Sequence, residues 1–234
     1  MLLQKIILTP ICLLILLIGS AQNSINQFDS NGKRHGIWTK NYHNTDQVRY
    51  MGVFDHGKEI DTFKYFKLSN GKSVLSATKV FNRNDSLADV KFYASNQNLI
   101  SEGKMKGKKF IGKWLYYHKN TSNKMIEEYF NNEGELEGER KVYYKNGEVA
   151  EHALYENGKL EGEAKWYAAN GKLIKVANFL DGEFHGKYVT YNLEGEITSE
   201  GTYDKDRKVG IWMYNEEGKK PKTIDYSAKT KNKQ

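Results

Sequence analysis

The chain has 234 residues, a formal charge of +7, 28% charged residues and a mean hydropathy of −0.74. Aromatic residues reach 13% and prolines number only two, which excludes a disordered chain, since such chains are poor in aromatics. The composition is that of an ordered chain with much surface for its volume, and it does not require one globular core.

Residues 1–21 open with Lys5, run apolar from 6 to 18 and close on Gly19-Ser20-Ala21. This predicts a secretory signal cleaved after Ala21, because the run is shorter than the about 20 residues of a spanning helix and contains Pro10. Cleavage would take Lys5 and lower the charge to +6 (7 − 1 = 6). The protein is therefore expected to be exported, to the periplasm, the cell surface or the medium. Cys12 sits mid-run after Thr9-Pro10-Ile11, without the small residues that lead into a lipidated cysteine, and no other cysteine follows. The exported part can carry no disulfide, thiol nucleophile or thiolate metal site. Residues 22–27 read as a short linker.

From residue 28 to 226 the chain repeats. Glycines return at Gly134, Gly158 and Gly182, and again at Gly138, Gly162 and Gly186, both series in steps of 24. Indexed on the second series, the units fall at Gly36, Asp61, Ala88, Gly112, Gly138, Gly162, Gly186 and Gly210, eight in all, with the one at Ala88 most eroded. A period of this length marks one small unit copied along the chain and stabilised by stacking on its neighbours. Two positions after the anchor stand Trp38, Phe63, Val90, Trp114, Arg140, Ala164, Tyr188 and Trp212; four after it come Tyr65, Phe92, Tyr116, Val142, Trp166 and Tyr214. On a strand these share one face. The other face carries Lys64, Lys91, Lys141 and Lys165 at the third position, with Phe66, Tyr93, Tyr117, Tyr143, Tyr167 and Tyr191 at the fifth.

Asn70-Gly71, Asn146-Gly147 and Asn170-Gly171 follow these strands, with Glu194-Gly195 and Glu217-Gly218 in the same place. Asn-Gly between alternating runs predicts a hairpin whose two turn residues both take positive φ. On the return strand a small residue recurs, at Gly52, Gly103, Ala153, Ala177 and Gly201. Packing explains it if a bulky aromatic from a neighbouring strand needs the room. The row Met125, Glu127, Tyr129 breaks this pattern. The expected fold is thus all-β, an elongated antiparallel sheet of about eight consecutive hairpins, extending roughly 70 Å at about 4.8 Å per strand. Trp38 at one end and residues 212–226 at the other are where capping or self-association is expected. Gly112, Gly138, Gly162, Gly186 and Gly210, with Trp38, Trp114, Trp166 and Trp212, are the expected structural positions.

Gly158-Lys159-Leu160-Glu161-Gly162, then Trp166-Tyr167 and Asn170-Gly171-Lys172, resemble the MORN repeat consensus GKxxGxWxxYxxNGK, in the bacterial variant labelled YwqK-type antitoxin. The resemblance covers nearly all of residues 28–226. It implies an extended sheet of hairpins, and roles in protein scaffolding or membrane-lipid contact.

No H-x-x-x-H pair, G-x-S-x-G elbow or phosphate-cradling glycine loop appears in the chain. His35 and His185 hold equivalent places about six repeats apart, too far to share an ion. No metal, cofactor or catalytic residue is expected. Residues 227–234, with Lys229, Lys231 and Lys233, extend a basic run begun at Lys219, Lys220 and Lys222; it reads as a solubilising tail, and no nucleic-acid motif accompanies it. The candidate binding surface is the lysine and tyrosine face: Lys64, Lys91, Lys141 and Lys165 with Tyr93, Tyr117, Tyr143, Tyr167 and Tyr191. The leading expectation is an exported non-catalytic scaffold for a protein partner, with an envelope module for anionic lipid or glycan as the alternative and an antitoxin or immunity protein as a further one.

Overall fold

The computed structural model describes residues 25–82 and 85–227; the expected signal segment and Lys229, Lys231 and Lys233 lie outside the described residues. Within them a short strand, β1 (Gln27–Phe28), leads into eight hairpins taken in chain order. The first four are β2 (Arg34–Asn41) with β3 (Val48–Asp55), β4 (Lys58–Ser69) with β5 (Lys72–Phe81), β6 (Leu87–Tyr93) with β7 (Leu99–Lys106), and β8 (Lys109–Tyr117) with β9 (Lys124–Phe130). Next come β10 (Gly138–Tyr143) with β11 (Val149–Glu156), and the split strand β12 (Lys159–Leu160) and β13 (Gly162–Tyr167) with β14 (Leu173–Leu180). The last two are β15 (Glu183–Tyr191) with β16 (Ile197–Asp204), and β17 (Arg207–Tyr214) with β18 (Lys222–Asp225). Each hairpin pairs antiparallel with the one after it, giving a single open sheet that needs only tight turns. The all-β sheet of consecutive hairpins is as expected. It starts within the expected linker: Gln27 pairs with His35, and the Asn26 N–H donates to the Ile37 carbonyl at 2.8 Å.

Asn70-Gly71 is the expected two-residue turn, left-handed at both residues (φ 50° and 74°) between the paired Ser69 and Lys72; the later turns differ. At Asn146-Gly147 only the glycine is left-handed, at φ 92°. Its N–H donates to the Tyr144 carbonyl while the Tyr144 N–H donates to Glu148, a three-residue loop closed by one left-handed glycine. Asn146 contributes through its side chain instead, accepting from the Glu148 N–H at 3.2 Å and donating to the Ala169 carbonyl of the next hairpin at 2.8 Å. Further pairs of left-handed residues lie on the opposite edge of the sheet, where one repeat passes to the next: His56-Gly57, Asn157-Gly158, Asp181-Gly182 and Lys205-Asp206.

The anchor glycines are left-handed but stand inside the sheet. At Gly186 the pairing jumps from Ala177↔Tyr188 to Phe179↔Phe184, and at Gly112 from Gly103↔Trp114 to Lys104↔Ile111. These are β-bulges, for which a positive-φ residue is the usual device. Asp61 does the same work at φ 54°. The eroded unit has lost the bulge: pairing runs unbroken from Ala77↔Phe92 to Phe81↔Ala88.

The core lies on the aromatic face. Phe63, Trp114 and Trp212 are fully buried, although each sits in a single-layer sheet. They achieve this by lying across a neighbouring strand where it has no side chain: a Cβ on Gly52 would stand 2.5 Å from Phe63, on Gly103 2.5 Å from Trp114, and on Gly201 2.2 Å from Trp212. The indole N–H of Trp114 then reaches the Lys104 carbonyl at 3.0 Å, and that of Trp212 the Thr202 carbonyl at 3.1 Å. The small residue is therefore required by packing, as the sequence suggested. The apparent exception was a misalignment. The loop from His118 to Asn123, like that from Tyr42 to Gln47, is one residue longer than the Tyr144–Glu148 and Ala168–Lys172 loops, so the true row is Glu128 opposite Trp114 and Phe130 opposite Gly112.

Trp38 and Trp166 are half-buried. Phe28 packs edge-on against Trp38 at 5.1 Å, and Tyr226 against Trp212 at 6.4 Å, so each end of the array is capped by its own chain. The edge strands β1 and β18 are only two and four residues long, which shortens the ladder of free backbone groups open to another chain.

Candidate functional site

The face expected to bind brings its lysines beside glutamates. Lys91 meets Glu102 at 2.9 Å, Lys141 meets Glu139 at 2.6 Å and Lys165 meets Glu163 at 2.7 Å. Lys64 is exposed, with Met51 and Thr78 opposite it on the flanking strands. Hydrogen bonds from Tyr117 and then Lys91 hold the Glu102 carboxyl below its ordinary range, and the bond to Glu139 raises Lys141. Glu127, pushed up by burial, is brought down to about 2 by Lys113 and Lys124. Cation and carboxylate thus alternate, and the basic row read from the lysines alone is a mixed-charge ladder. The third position also carries Leu115, Val189 and Met213, and Val189 is buried against its partner Val176. Their signal was in the sequence at the same spacing.

Tyr93, Tyr117, Tyr143, Tyr167 and Tyr191 are all half-buried. Tyr117 donates to Glu102 at 2.5 Å, and burial with that carboxylate pushes its phenol up to about 12. Lys124 stands 5.0 Å over the ring of Tyr143. Between successive hairpins these rings wall small clefts. One of 240 Å³ joins Lys141 and Tyr167 with Glu148, Val149 and His152. A larger, mainly apolar cleft of 550 Å³ is formed by Leu99, Ile100, Tyr117 and Met125 with the 94–98 turn.

The aromatic face is covered by its own cations. Lys175 lies 3.5 Å from the Trp166 ring, Lys208 4.1 Å from Trp212 and Arg34 5.0 Å from Trp38, an arrangement in which the aliphatic stems shield the rings. Burial lowers the pKa of Lys175. Midway along this face Arg140 bridges Glu128 at 3.2 Å and Glu151 at 2.6 Å, and the Trp166 indole N–H donates to Glu151 at 3.0 Å.

One cluster was missed from sequence. His35, Asp55 and His56 meet at the mouth of the first hairpin, their ligand atoms all within 4.8 Å of one another. Comparing His35 with His185 had excluded a shared ion, but His56 is brought alongside by the β2–β3 pairing. His35 Nδ1 is 3.5 Å and His56 Nε2 3.8 Å from Asp55 Oδ1, while His56 Nδ1 lies 2.6 Å from Asp29 Oδ2.

A long open sheet with side-chain clefts repeated between hairpins defines a repeat scaffold. The MORN repeat variant matches residues 136–157 and 160–181, so the hairpins β10–β11 and β12–β14 are similar to it. A search of curated proteins finds no match.

Proposed function

We propose that the chain is an exported, non-catalytic scaffold that binds a protein partner on its lysine and tyrosine face. The observation that carries this is the apolar cleft of 550 Å³ beside the Lys91–Glu102 pair, in which Ile100 is 44% exposed, on a face whose Lys141 and Lys165 are likewise paired with glutamates. Neutralised lysines offer little to an anionic lipid, whereas an apolar slot with polar turn residues at its rim suits side chains of an extended peptide. Export rests on the composition of residues 1–21. An immunity role is the same reading with a toxin as the partner, for which an adjacent toxin gene is the direct sign. Affinity capture from the periplasmic or extracellular fraction should recover a protein with the native chain and lose it with Ile100→Glu. Recovery of no protein from cells that express the chain would overturn the reading. Salt-sensitive sedimentation with anionic liposomes or cell wall, abolished by removing the lysine tail, would establish the envelope alternative instead.

A further inference from the structure

We propose that His35, Asp55 and His56 form a binding site for a divalent transition metal of the zinc type at the N-terminal end of the array. Three elements place the donors. His35 lies on β2, Asp55 ends β3, and His56 begins the left-handed pair that links the first repeat to the second. That turn is held beside His35 by the Gly57 N–H, which donates to the Arg34 carbonyl at 2.7 Å. Bonds of about 2.0–2.2 Å to nitrogen and oxygen place tetrahedral donors roughly 3.3–3.5 Å apart. The His35–Asp55 separation of 3.5 Å and the His56–Asp55 separation of 3.8 Å are already near that spacing. The remaining closure needs only rotation of two exposed imidazoles, whose side chains are 48% and 63% accessible.

The second observation is Asp29. Its side chain is only 7% exposed and accepts the backbone N–H groups of Asn31 and Lys33 at 2.8 Å each, so it is fixed in place. Its Oδ2 lies 2.6 Å from His56 Nδ1, and since a carboxylate only accepts, this bond takes the proton of the neutral imidazole on Nδ1. Nε2, the atom aimed at Asp55, is left with its lone pair. A carboxylate bonded to the far nitrogen of a ligating histidine is the usual outer support of a zinc site. Two imidazoles and one carboxylate suit zinc, copper or nickel better than magnesium or calcium, and leave a fourth position for water or a donor from a partner.

A second unit of the chain supplies an internal contrast. His185 and Asp204 repeat the His35–Asp55 pair at 3.4 Å, but Lys205 stands where His56 stands in the first unit. A lysine ammonium has no lone pair, so one site per chain is expected. Calorimetric titration of the purified chain with Zn²⁺ alone should show one bound ion. His56→Ala and His35→Ala should abolish saturable binding, Asp29→Asn should weaken it about 10- to 100-fold, and His185→Ala should leave it unchanged, with thermal melting reporting the fold of each variant. Should a variant fail to fold, imidazole NMR of the native chain decides, since zinc must shift His35 and His56 and spare His185. No saturable zinc binding, binding that survives His56→Ala in a folded protein, or zinc that leaves both imidazoles unmoved would overturn the proposal.

Discussion

Gly103 has no side chain because Trp114 occupies the place where a Cβ would stand, and the same ring closes off the core of the unit behind it. Gly162 is a glycine for another reason. Its φ is +70° and nothing lies within 4 Å of the point where a Cβ would be, so its requirement is backbone conformation alone. Replacing each by alanine separates the two causes. Gly103→Ala should cost about 1–3 kcal/mol through overpacking against a fully buried indole, and Gly162→Ala about 1 kcal/mol through left-handed strain. Thermal or urea melting should rank them in that order, and equal losses would mean that Trp114 can leave its place cheaply.

Successive hairpins fit one another by size. Where the incoming residue is Phe63, Trp114 or Trp212 the facing residue is glycine, and where it is Tyr188 the facing residue is Ala177. At the junction of β9 and β10 both members have changed, since Arg140 stands in the aromatic place and Glu128 in the small one, and they bond to each other at 3.2 Å. An arginine needs an acid there because both are largely withdrawn from water, with side chains 21% and 10% exposed. Arg140→Trp alone should destabilise by about 3–5 kcal/mol, as it leaves a buried carboxylate without its cation and overfills the gap. Adding Glu128→Gly restores the pairing used at Trp114 and should recover more than half of the loss. A double-mutant cycle reads this, and additive effects would show that the two residues are not coupled.

Along the whole molecule the same couplings recur at one-repeat intervals. On one edge the Tyr144 hydroxyl donates to the Tyr167 carbonyl at 2.8 Å; on the other, the Gly158 N–H reaches Leu136 at 2.8 Å and the Gly182 N–H reaches Leu160 at 2.9 Å. Every such bond joins neighbours only, so stability should be close to a sum of units and interfaces. Gly162→Val, which forces a β-branched residue into φ +70°, should cost about 1–3 kcal/mol at that site. Hydrogen exchange should then speed up in β11 to β15 and stay slow around Gly36. A uniform loss of protection from β2 to β18 would mean a single cooperative core.

The sequence by itself determined the period, the number of hairpins, the face that carries the rings and the need for a small residue beneath them. Those follow from spacing, because a strand alternates with period two and a repeated unit repeats its contacts. Turn type was only half legible. Asn146-Gly147 and Asn157-Gly158 have the same two letters, yet the first closes a three-residue loop with one left-handed residue and the second a tighter turn with two. The tertiary structure alone decided what faces what across strands: that Glu102 neutralises Lys91, that Glu128 answers Arg140, and that His56 comes beside His35. These pairs are 11 to 21 residues apart in the chain, and a bulge of one residue would turn any of them to opposite faces. Glu139 and Glu163 stand two residues from Lys141 and Lys165 on the same strands, where the spacing already puts them on one face.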